Sequence, residues 1–438
     1  MKTSKRLRRN IAIWLAAGLF MTGTAGMAAG PIMPDPKAEA RHQPQVEETA
    51  NGIPLVNITA PSSGGVSRNE YETFNVPDKG AILNNSYTLS KTELAGYVQG
   101  NSNMAERPAK IIVNEVTGAG PTSMDGFLEV AGNRADVVIA NPNGITVNGG
   151  GFINTGKAFL TTGKPVYDGE DHLQRFDITG GDILIEGKGL GGKETGSLAI
   201  LSRAVKINAG IWAKDLHITT GANTVDAKTL EASAIEGKGG HPAFALDTAA
   251  IGGMYAGRIT LVGTEKGLGV NNSGTWSAED NLTLDWNGDL KNSGTIYSKG
   301  NTDLRASRLE NDKTIAAERN LSAAAKEDIR NQGKLLAGEN MDIYAGKTLD
   351  NAGHAMESGN NLSIETGDAI NNAAGTIKSG GSQQIKAGHA LTNTEGTLAA
   401  DGNINIQTGR ITGDGIVSAG KKAGILLEKD FTNTGRLE

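Results

Sequence analysis

The residues that could carry acid–base chemistry in this sequence are scattered along it. Asp328, Asp342 and Asp368 each stand near a predicted turn. Cleavage of a polysaccharide needs carboxylates and basic residues that converge on one face. No such convergence is predicted by the spacing, so we expect no catalytic residues and no enzymatic activity in this chain.

Metal and cofactor chemistry is equally poorly represented. The six histidines are His42, His172, His217, His241, His354 and His389. None forms a His-x-x-x-His pair or stands beside paired carboxylates, which zinc sites use. Gly149–Gly151 and Gly189–Gly192 lack the following helix and Lys-Ser/Thr pair of a phosphate loop, so tight turns are favoured there. We therefore predict no metal and no cofactor.

One polar tetrapeptide has a more specific pattern, Asn141-Pro142-Asn143-Gly144. Pro at the second position and Gly at the fourth suit a type I turn, and Asn143 at the third position would also tolerate a type II turn. An apolar run at 135–140 precedes it, and alternating residues follow from Ile145. The pattern predicts a tight turn that joins two β-strands.

Short β-type runs separated by Gly, Asn and Pro are typical of the chain from about residue 51. The clearest runs are Leu55–Ile58, Ile111–Val116, Phe127–Val130, Val137–Ile139, Ile183–Ile185, Leu198–Leu201, Leu216–Thr219 and Ile259–Val262. One helix is predicted at Ser90–Tyr97, with Ser90 as N-cap and Glu93 placed as in a capping box. The rest indicates a mostly-β protein.

The sequence becomes a repeat of roughly 20 residues after about Val270. An asparagine recurs at Asn272, Asn292, Asn311, Asn331, Asn351, Asn372, Asn393 and Asn433. The first apolar column contains Trp276, Ile296, Ile315, Leu335, Ala355, Ile377 and Leu398. The second contains Leu284, Leu304, Ala323, Ile343, Ile364, Ile385, Ile406 and Leu426. The third contains Leu290, Leu309, Ile329, Leu349, Ile370, Leu391, Ile411 and Phe431. A further polar column contains Asn281, Asn301, Asn320, Asn340, Asn361 and Asn403.

Three short strands per repeat, joined by Asn and Gly turns, predict a parallel β-helix in which each coil stacks on the last. Stacked asparagines would then hydrogen-bond along the axis. Exposed sugar-binding platforms are one interpretation of Trp212, Trp276 and Trp286, but coil packing or end capping is the favoured use. For such a fold, the alternative to a function without enzymatic activity is that of a secreted β-helical polysaccharide lyase or hydrolase.

The N-terminus has the features of a secretory signal peptide over residues 1–28. A basic stretch precedes the apolar run Ile11–Met21 and small residues follow, with cleavage predicted near Ala28. These residues hold five positive and no negative charges, so their removal changes the formal net charge from −6 to −11. An acidic chain of this kind does not favour nucleic-acid binding. Residues 29–50 lack periodicity and predict a flexible leader.

Composition fits a long, thin core rather than a compact one. The 438 residues include 61 glycines and no cysteine, and the aromatic content is 4%. Without cysteine there is no disulfide framework, and the chain would not be oxidised while crossing a periplasm. A coil begins at Thr434-Gly435, so we expect the polypeptide to continue beyond Glu438.

Residues 51–270 resemble the secretion domain of two-partner-secreted exoproteins such as filamentous haemagglutinin. Asn141-Pro142-Asn143-Gly144 is similar to one Asn-Pro-Asn signature of that family, and Asn101-Ser102-Asn103-Met104 to the other, with Ser for Pro and Met for Leu. The stretches 111–116, 151–155, 160–165, 252–256 and 261–265 support the resemblance. Residues 271–438 resemble haemagglutinin repeats.

The resemblance implies both a fold and a route. The fold would be all-β, a single right-handed parallel β-helix with an N-terminal cap and small extra-helical β elements. The chain would cross the periplasm unfolded and be recognised by an outer-membrane barrel transporter with periplasmic receptor domains. It would then fold at the surface of a diderm bacterium and start an adhesin or toxin-delivery shaft, which could contact a host or neighbouring cell. An autotransporter would need its own C-terminal barrel domain.

Overall fold

The fold is a parallel β-solenoid of about 15 coils with about 21 residues each. The computed structural model describes residues 30–104, 107–427, 431–433 and 435–437. Each coil contributes strands to three parallel ladders, which we name faces A, B and C in the order in which the chain enters them. The all-β parallel solenoid predicted from the repeat is therefore confirmed. The predicted signal peptide, residues 1–28, lies outside the described residues.

The strands of the three faces follow one another around each coil. Face A contains Pro54–Asn57, Ala81–Asn85, Phe127–Gly132, Gly150–Ile153, Leu190–Gly192, the first parts of Gly210–Thr220 and Gly253–Gly263, Thr275–Ala278, Thr295–Ser298, Thr314–Ala317, Lys334–Ala337, Ala355–Ser358, Thr376–Ser379, Thr397–Ala400, Ile416–Ala419 and Arg436–Leu437. Face B contains Val66–Phe74, Ile111–Val116, Ala135–Ala140, Thr155–Thr161, Ser197–Ser202, the second parts of Gly210–Thr220 and Gly253–Gly263, Leu282–Trp286, Thr302–Ala306, Leu321–Ala325, Met341–Ala345, Leu362–Thr366, the first parts of Gln383–Thr392 and Ile404–Gly413, and Ala423–Leu427. Face C contains Thr122–Met124, Ile145–Val147, Asp182–Ile185, Ala204–Ile207, Phe244–Thr248, Gly269–Asn272, Leu290–Asn292, Leu309–Asn311, Ile329–Asn331, Leu349–Asp350, Ala369–Asn371, the second parts of Gln383–Thr392 and Ile404–Gly413, and Phe431–Asn433.

The core is one continuous column of aliphatic side chains between the faces. It follows the three predicted apolar columns with two corrections. Leu335 pairs with Met356, which is fully buried, and not with Ala355. Ile406 pairs with Ile425, which packs against the core, whereas Leu426 is 63% exposed. Similar apolar side chains thus stack on one another in neighbouring coils. This stacking excludes water from the interior of the solenoid.

A ladder of buried asparagines runs along the corner between faces C and A, as predicted. Each Nδ2 donates to the Oδ1 of the next asparagine at 2.8 or 2.9 Å. The members are Asn272, Asn292, Asn311, Asn331, Asn351, Asn372 and Asn393. The chain of side-chain amides satisfies polar groups that would be costly to bury alone.

Residues 31–50 form an N-terminal cap, so the prediction of a flexible leader over residues 29–50 is wrong for the described residues. Ile32–Pro34 pairs antiparallel with Val66–Phe74, and Gln45–Glu48 pairs antiparallel with Pro54–Asn57. The 3₁₀ turn Ala40–His42 lies between these two strands. The cap covers the strand edges that the first coil would otherwise expose. Hydrophobic periodicity, the basis of the prediction for residues 29–50, does not detect a cap of this kind.

Two antiparallel elements lie outside the coils. One is the four-stranded sheet of Lys164–Tyr167, Leu173–Ile178, Asn223–Asp226 and Ala232–Ala234. The other is the hairpin of Ser90–Thr92 and Gly96–Val98, where the helix Ser90–Tyr97 was predicted. That helix prediction is wrong because the Glu129 carboxylate accepts the backbone N–H groups of Glu93 and Leu94 at 2.7 and 2.9 Å. A contact from another strand thus outweighs a local capping pattern.

Candidate functional site

Asn141–Gly144 forms a tight turn between a strand of face B and a strand of face C. The Gly144 N–H donates to the Asn141 carbonyl at 3.1 Å. The Asn141 Oδ1 accepts the Asn143 N–H at 2.9 Å, which closes an Asx turn inside the tetrapeptide. Gly144 has φ 113°, whereas Asn143 is not among the residues with positive φ. A type II turn would need positive φ at Asn143, so the type I alternative is the one found.

Asn141 also ties this turn to the preceding coil. Its side chain is fully buried, and its Nδ2 donates to the Gly120 carbonyl and the Thr122 hydroxyl, both at 3.0 Å. Asn143 reaches the Gly118 carbonyl at 2.8 Å but is exposed, as is Pro142. The motif therefore has a buried structural residue and an exposed tip.

Asn101–Met104 has the same design with a 3₁₀ turn at Ser102–Met104. The Asn101 Oδ1 accepts the Asn103 N–H at 3.0 Å. The Asn101 Nδ2 donates to two main-chain carbonyls, at 2.9 and 3.0 Å. Met104 is in the core, where the family signature has Leu, and Ser102 is exposed, where it has Pro. Both substitutions are compatible with the same turn.

The structure does not bring the two motifs together. Asn101–Met104 lies in the insertion between faces A and B, and Asn141–Gly144 lies at the corner between faces B and C. Each motif is a separate compact turn. In the part of the chain that the structure describes, no group of three or more His, Asp or Glu side chains is placed to hold a metal ion. No helix among those residues is long and apolar enough to cross a membrane.

Comparison with protein families decides what these turns belong to. The family model of the TPS secretion domain matches residues 31–296. The chain belongs to the TPS secretion domain family. The haemagglutinin repeat matches three overlapping segments that follow directly, residues 297–355, 342–407 and 392–437. Membership implies a cognate outer-membrane transporter, and proteins of this family are secreted across the outer membrane to the cell surface.

Solved structures and curated relatives agree with the family. The crystal structure of the filamentous hemagglutinin secretion domain superimposes with a TM-score of 0.54 at 30% identity, covering 75% of this chain and all of that one. The toxin CdiA of Yersinia pestis is 41% identical over 298 residues, 63% of this chain and 9% of the relative. The 16S rRNA endonuclease CdiA of Enterobacter cloacae is 44% identical over 265 residues, 60% of this chain and 8% of the relative.

The chain thus spans less than a tenth of the length of these CdiA relatives. Their toxin and nuclease names describe proteins of which this secretion domain is a small part. The alternative of a polysaccharide lyase or hydrolase receives no support from these comparisons. A secretion role without enzymatic chemistry is what the family and the fold suggest.

A partly buried ionic cluster joins the cap of the secretion domain to its first coils, and sequence analysis missed it. Arg68 pairs with Glu70 at 2.9 Å and with Glu115 at 3.4 Å, and its guanidinium lies 4.5 Å from the centre of the Tyr167 ring. His42 of the cap contacts Glu70 at 3.1 Å. Burial raises the pKa of Glu115, although the nearby Arg68 charge opposes this. Burial lowers the pKa of His42.

This cluster predicts a pH-dependent difference between two variants of neighbouring carboxylates. Folding raises the pKa of Glu115, so its contribution to stability is largest below the ordinary carboxyl pKa near 4.5 and is lost as the pH rises through the raised value. Glu115→Gln should therefore gain stability relative to wild type between pH 4.5 and 7, by roughly 1 kcal/mol. Glu70→Gln, which removes the carboxylate that contacts both Arg68 and His42, should instead lose roughly 1–2 kcal/mol at pH 7, because the Arg68 side chain keeps 24% of its surface exposed.

Urea unfolding of the mature chain at several pH values, followed by circular dichroism, measures both effects. A difference between Glu115→Gln and wild type that stays constant from pH 4.5 to 7 would contradict the assignment. Equal losses of unfolding free energy in the two variants would show that ion pairs and hydrogen bonds stabilise the Glu115 carboxylate as well as they stabilise that of Glu70.

Proposed function

We propose that Asn101–Met104 and Asn141–Gly144 mark the chain for export through an outer-membrane barrel transporter with periplasmic receptor domains. The observation that carries the proposal is the closure of each turn within its own four residues. The Asx bonds from Asn101 to Asn103 and from Asn141 to Asn143 span two residues each. Such bonds need no neighbouring coil, so both turns can form in a chain that is otherwise unfolded in the periplasm.

Export and folding would then use the same residues in succession. A transporter binds the turn first, through the exposed Pro142 and Asn143 or through Ser102. Outside the cell the side-chain amide of Asn141 becomes buried and donates a hydrogen bond to the Gly120 carbonyl of the preceding coil. Each coil that emerges can stack on the previous one, because contacts between coils join segments close in sequence.

We propose further that the haemagglutinin repeats continue this solenoid as the shaft of a longer exoprotein at the cell surface. The CdiA names of the relatives favour delivery of a toxin to a neighbouring cell, and the likeness to filamentous haemagglutinin favours adhesion to a host cell. The secretion domain starts such a shaft in either case. The chain itself acts without a cofactor and without nucleic acid in this proposal.

Replacing Asn141 and Asn143 together with alanine should reduce the secreted fraction at least tenfold while total synthesis is unchanged. The matched control is Asn372→Ala. Asn372 is also fully buried and also loses amide hydrogen bonds, but it lies in the repeats. Quantitative immunoblots of medium and cell fractions from cells that carry the cognate transporter measure export.

Asn143→Ala alone separates recognition from stability. Its side chain is exposed, so the folded protein should be little affected, yet export should fall if the tip of the turn is recognised. Undiminished export with both asparagines replaced would contradict the proposal. Equal export defects in the double variant and in Asn372→Ala would assign the effect to folding instead.

A further inference from the structure

The sequence contains four Asn-Gly pairs, the dipeptide in which asparagine loses its side-chain amide most readily. The pairs are Asn51-Gly52, Asn143-Gly144, Asn148-Gly149 and Asn287-Gly288. In such a pair the glycine nitrogen can attack the asparagine side-chain carbonyl, because no Cβ on the glycine obstructs the approach. The attack closes a cyclic imide and releases ammonia. Whether a pair reacts in the folded chain therefore depends on what holds the glycine N–H.

Three of the four glycine N–H groups are hydrogen-bonded in the fold. Gly52, Gly144 and Gly149 each donate to a main-chain carbonyl, at 2.9, 3.1 and 2.9 Å respectively. A nitrogen that donates such a bond must break it before it can attack, which adds to the barrier. The fold therefore protects the asparagines of these three pairs.

The Gly288 N–H differs from the other three. Gly288 is buried, and its N–H has no hydrogen-bond acceptor among residues 30–104 and 107–427. Buried main-chain N–H groups are nearly always paired, so an unpaired one is unusual. No hydrogen bond has to break before this nitrogen attacks Asn287, whose side chain is exposed at the corner between faces B and C.

Two contacts hold the Asn287 side-chain amide in the orientation that this reaction needs. Its Nδ2 donates to the Thr264 carbonyl at 3.2 Å, and its Oδ1 accepts from Nζ of Lys326 at 3.0 Å. The ammonium group of Lys326 draws electrons from the amide carbonyl and favours the negative charge that forms on Oδ1 during attack.

The register of the solenoid brings Lys326 to this position. Asn287, Ser307 and Lys326 each directly follow a face B strand, on three successive coils. The short side chain of Ser307 leaves the lysine room to reach past the intervening coil. Lys326 has no carboxylate within ion-pair distance in the part of the chain that the structure describes, so its charge acts on the Asn287 amide.

We propose that Asn287 is a modification site at which the folded chain converts asparagine to aspartate or isoaspartate without an enzyme. The site combines an unpaired glycine N–H with a lysine ammonium on the amide oxygen. Water is the co-reactant. The conversion requires the folded coils that bring Lys326 to Asn287, so it follows export and is distinct from recognition by the transporter.

The reaction proceeds in two balanced steps. The Gly288 nitrogen loses its proton to solvent and bonds to Cγ of Asn287, and the C–Nδ2 bond breaks as Nδ2 takes a proton and leaves as ammonia. Water then adds to either carbonyl carbon of the imide and breaks its bond to the ring nitrogen. Opening at the main-chain carbonyl gives isoaspartate, and opening at Cγ gives aspartate.

The product changes the contact between coils. The new carboxylate at residue 287 lies against the Lys326 ammonium, so an amide hydrogen bond becomes a charge-assisted one. In isoaspartate the main chain also passes through the former side-chain carbon and is one atom longer. Both changes occur near the end of the stretch that matches the secretion domain, residues 31–296.

Incubation of the freshly purified mature chain at pH 6 and pH 8 tests the proposal. Peptide mass spectrometry with electron-transfer fragmentation measures conversion at all four pairs in one sample and distinguishes isoaspartate from aspartate. Asn287 should convert at least roughly fivefold faster than the other three, which must first break a hydrogen bond. Conversion should be faster at pH 8, because the glycine nitrogen must lose a proton. In urea the four rates should become similar.

Variants assign the reaction to these residues. Lys326→Gln removes the charge and should slow conversion at Asn287 roughly threefold, since exposed charges act weakly. Lys326→Arg keeps the charge and should retain most of the rate. Lys347→Gln is the matched control, because Lys347 lies one coil further on and contacts Glu327 at 3.2 Å. Conversion at Asn143 in the same sample reports any unfolding of a variant.

Conversion at Asn287 no faster than at Asn143 in the folded chain would overturn the proposal. An unchanged rate in Lys326→Gln would remove the lysine from the reaction. A crosslinked peptide that joins residues 287 and 326 would show that the lysine amine opens the imide, against hydrolysis by water. Asn287→Gln, which closes the ring far more slowly, should be secreted normally, so failure here leaves the export proposal intact.

Discussion

Replacing Asn331 with aspartate is expected to destabilise the repeats by about 4 kcal/mol at pH 7. Asn331 is 1% exposed, and its Nδ2 donates to the Asn351 Oδ1 at 2.8 Å while its Oδ1 accepts from Asn311 at 2.8 Å. A carboxylate can keep the second bond but cannot make the first. It would place two acceptors face to face and bury a charge in the ladder. Asn331→Ala removes both bonds without the charge and should cost about 2 kcal/mol.

The matched control for this prediction is Asn340→Asp in the further polar column, which also contains Asn320 and Asn361. Asn340 donates to Asn320 at 3.0 Å, but it is only partly buried, so water can solvate the introduced carboxylate. Its loss should be below about 1 kcal/mol. Thermal unfolding at pH 7 and pH 4 measures all three variants. The deficit of Asn331→Asp should shrink at pH 4, where the introduced carboxyl takes up a proton, and a deficit equal to that of Asn340→Asp at both pH values would contradict the ladder argument.

The ladder was predictable from sequence because both of its causes are local. A fixed repeat places identical residues at identical points of successive coils, and a polar residue there must bond along the axis. The error at Ala355 has a local cause too. The first apolar residue follows Asn331 by four positions but Asn351 by five. The added residue is accommodated by a left-handed backbone at Gly353, with φ 74°. The next two coils use Ala374 and Glu395 in the same way, with φ 52° and 55°.

The cap and the pairing register of the coils before Val270 were not predictable, because neither follows a fixed period. The cap depends on antiparallel pairing of Ile32–Pro34 with Val66–Phe74, which a compositional view of residues 29–50 does not reveal. The register depends on coils of unequal length. Gly151 pairs with Gly191 after 40 residues, and Trp212 pairs with Tyr255 after 43. Insertions such as the extra-helical sheet contain the additional residues of the longer coils. The pairing register of the strands could therefore not be predicted from a fixed repeat length.

The candidate site could also be predicted only in part. The sequence indicates where both turns lie, and the family resemblance connects them to export. Only the burial of each side chain in the structure distinguishes the roles of the residues within a turn. Asn141 is fully buried and holds the preceding coil, whereas Pro142 and Asn143 face solvent. A motif of four letters does not distinguish a residue that stabilises the fold from one that a partner can contact. That distinction makes the export experiment with Asn143→Ala informative.

Replacing Trp276 with alanine should lower the free energy of unfolding by about 4 kcal/mol. Trp276 is fully buried at the end of the secretion domain, between Met254 of one coil and Ile296 of the next. Its removal leaves a cavity that two flanking coils cannot close without breaking their strand pairing. It also deprives the Thr248 hydroxyl of the indole N–H, which lies at 3.1 Å.

Trp212→Ala is the matched control, since it removes the same side chain from the outside of the same face. Its expected loss is about 1 kcal/mol or less, because the truncation exposes surface but opens no internal cavity. Urea unfolding curves of the two variants, followed by circular dichroism, give the comparison. Equal losses would mean that the Trp212 side chain contributes as much to the stability of the core as the buried Trp276 does. A loss below about 1 kcal/mol for Trp276→Ala would mean that coil stacking at this junction tolerates a cavity, against the expectation for a close-packed interior.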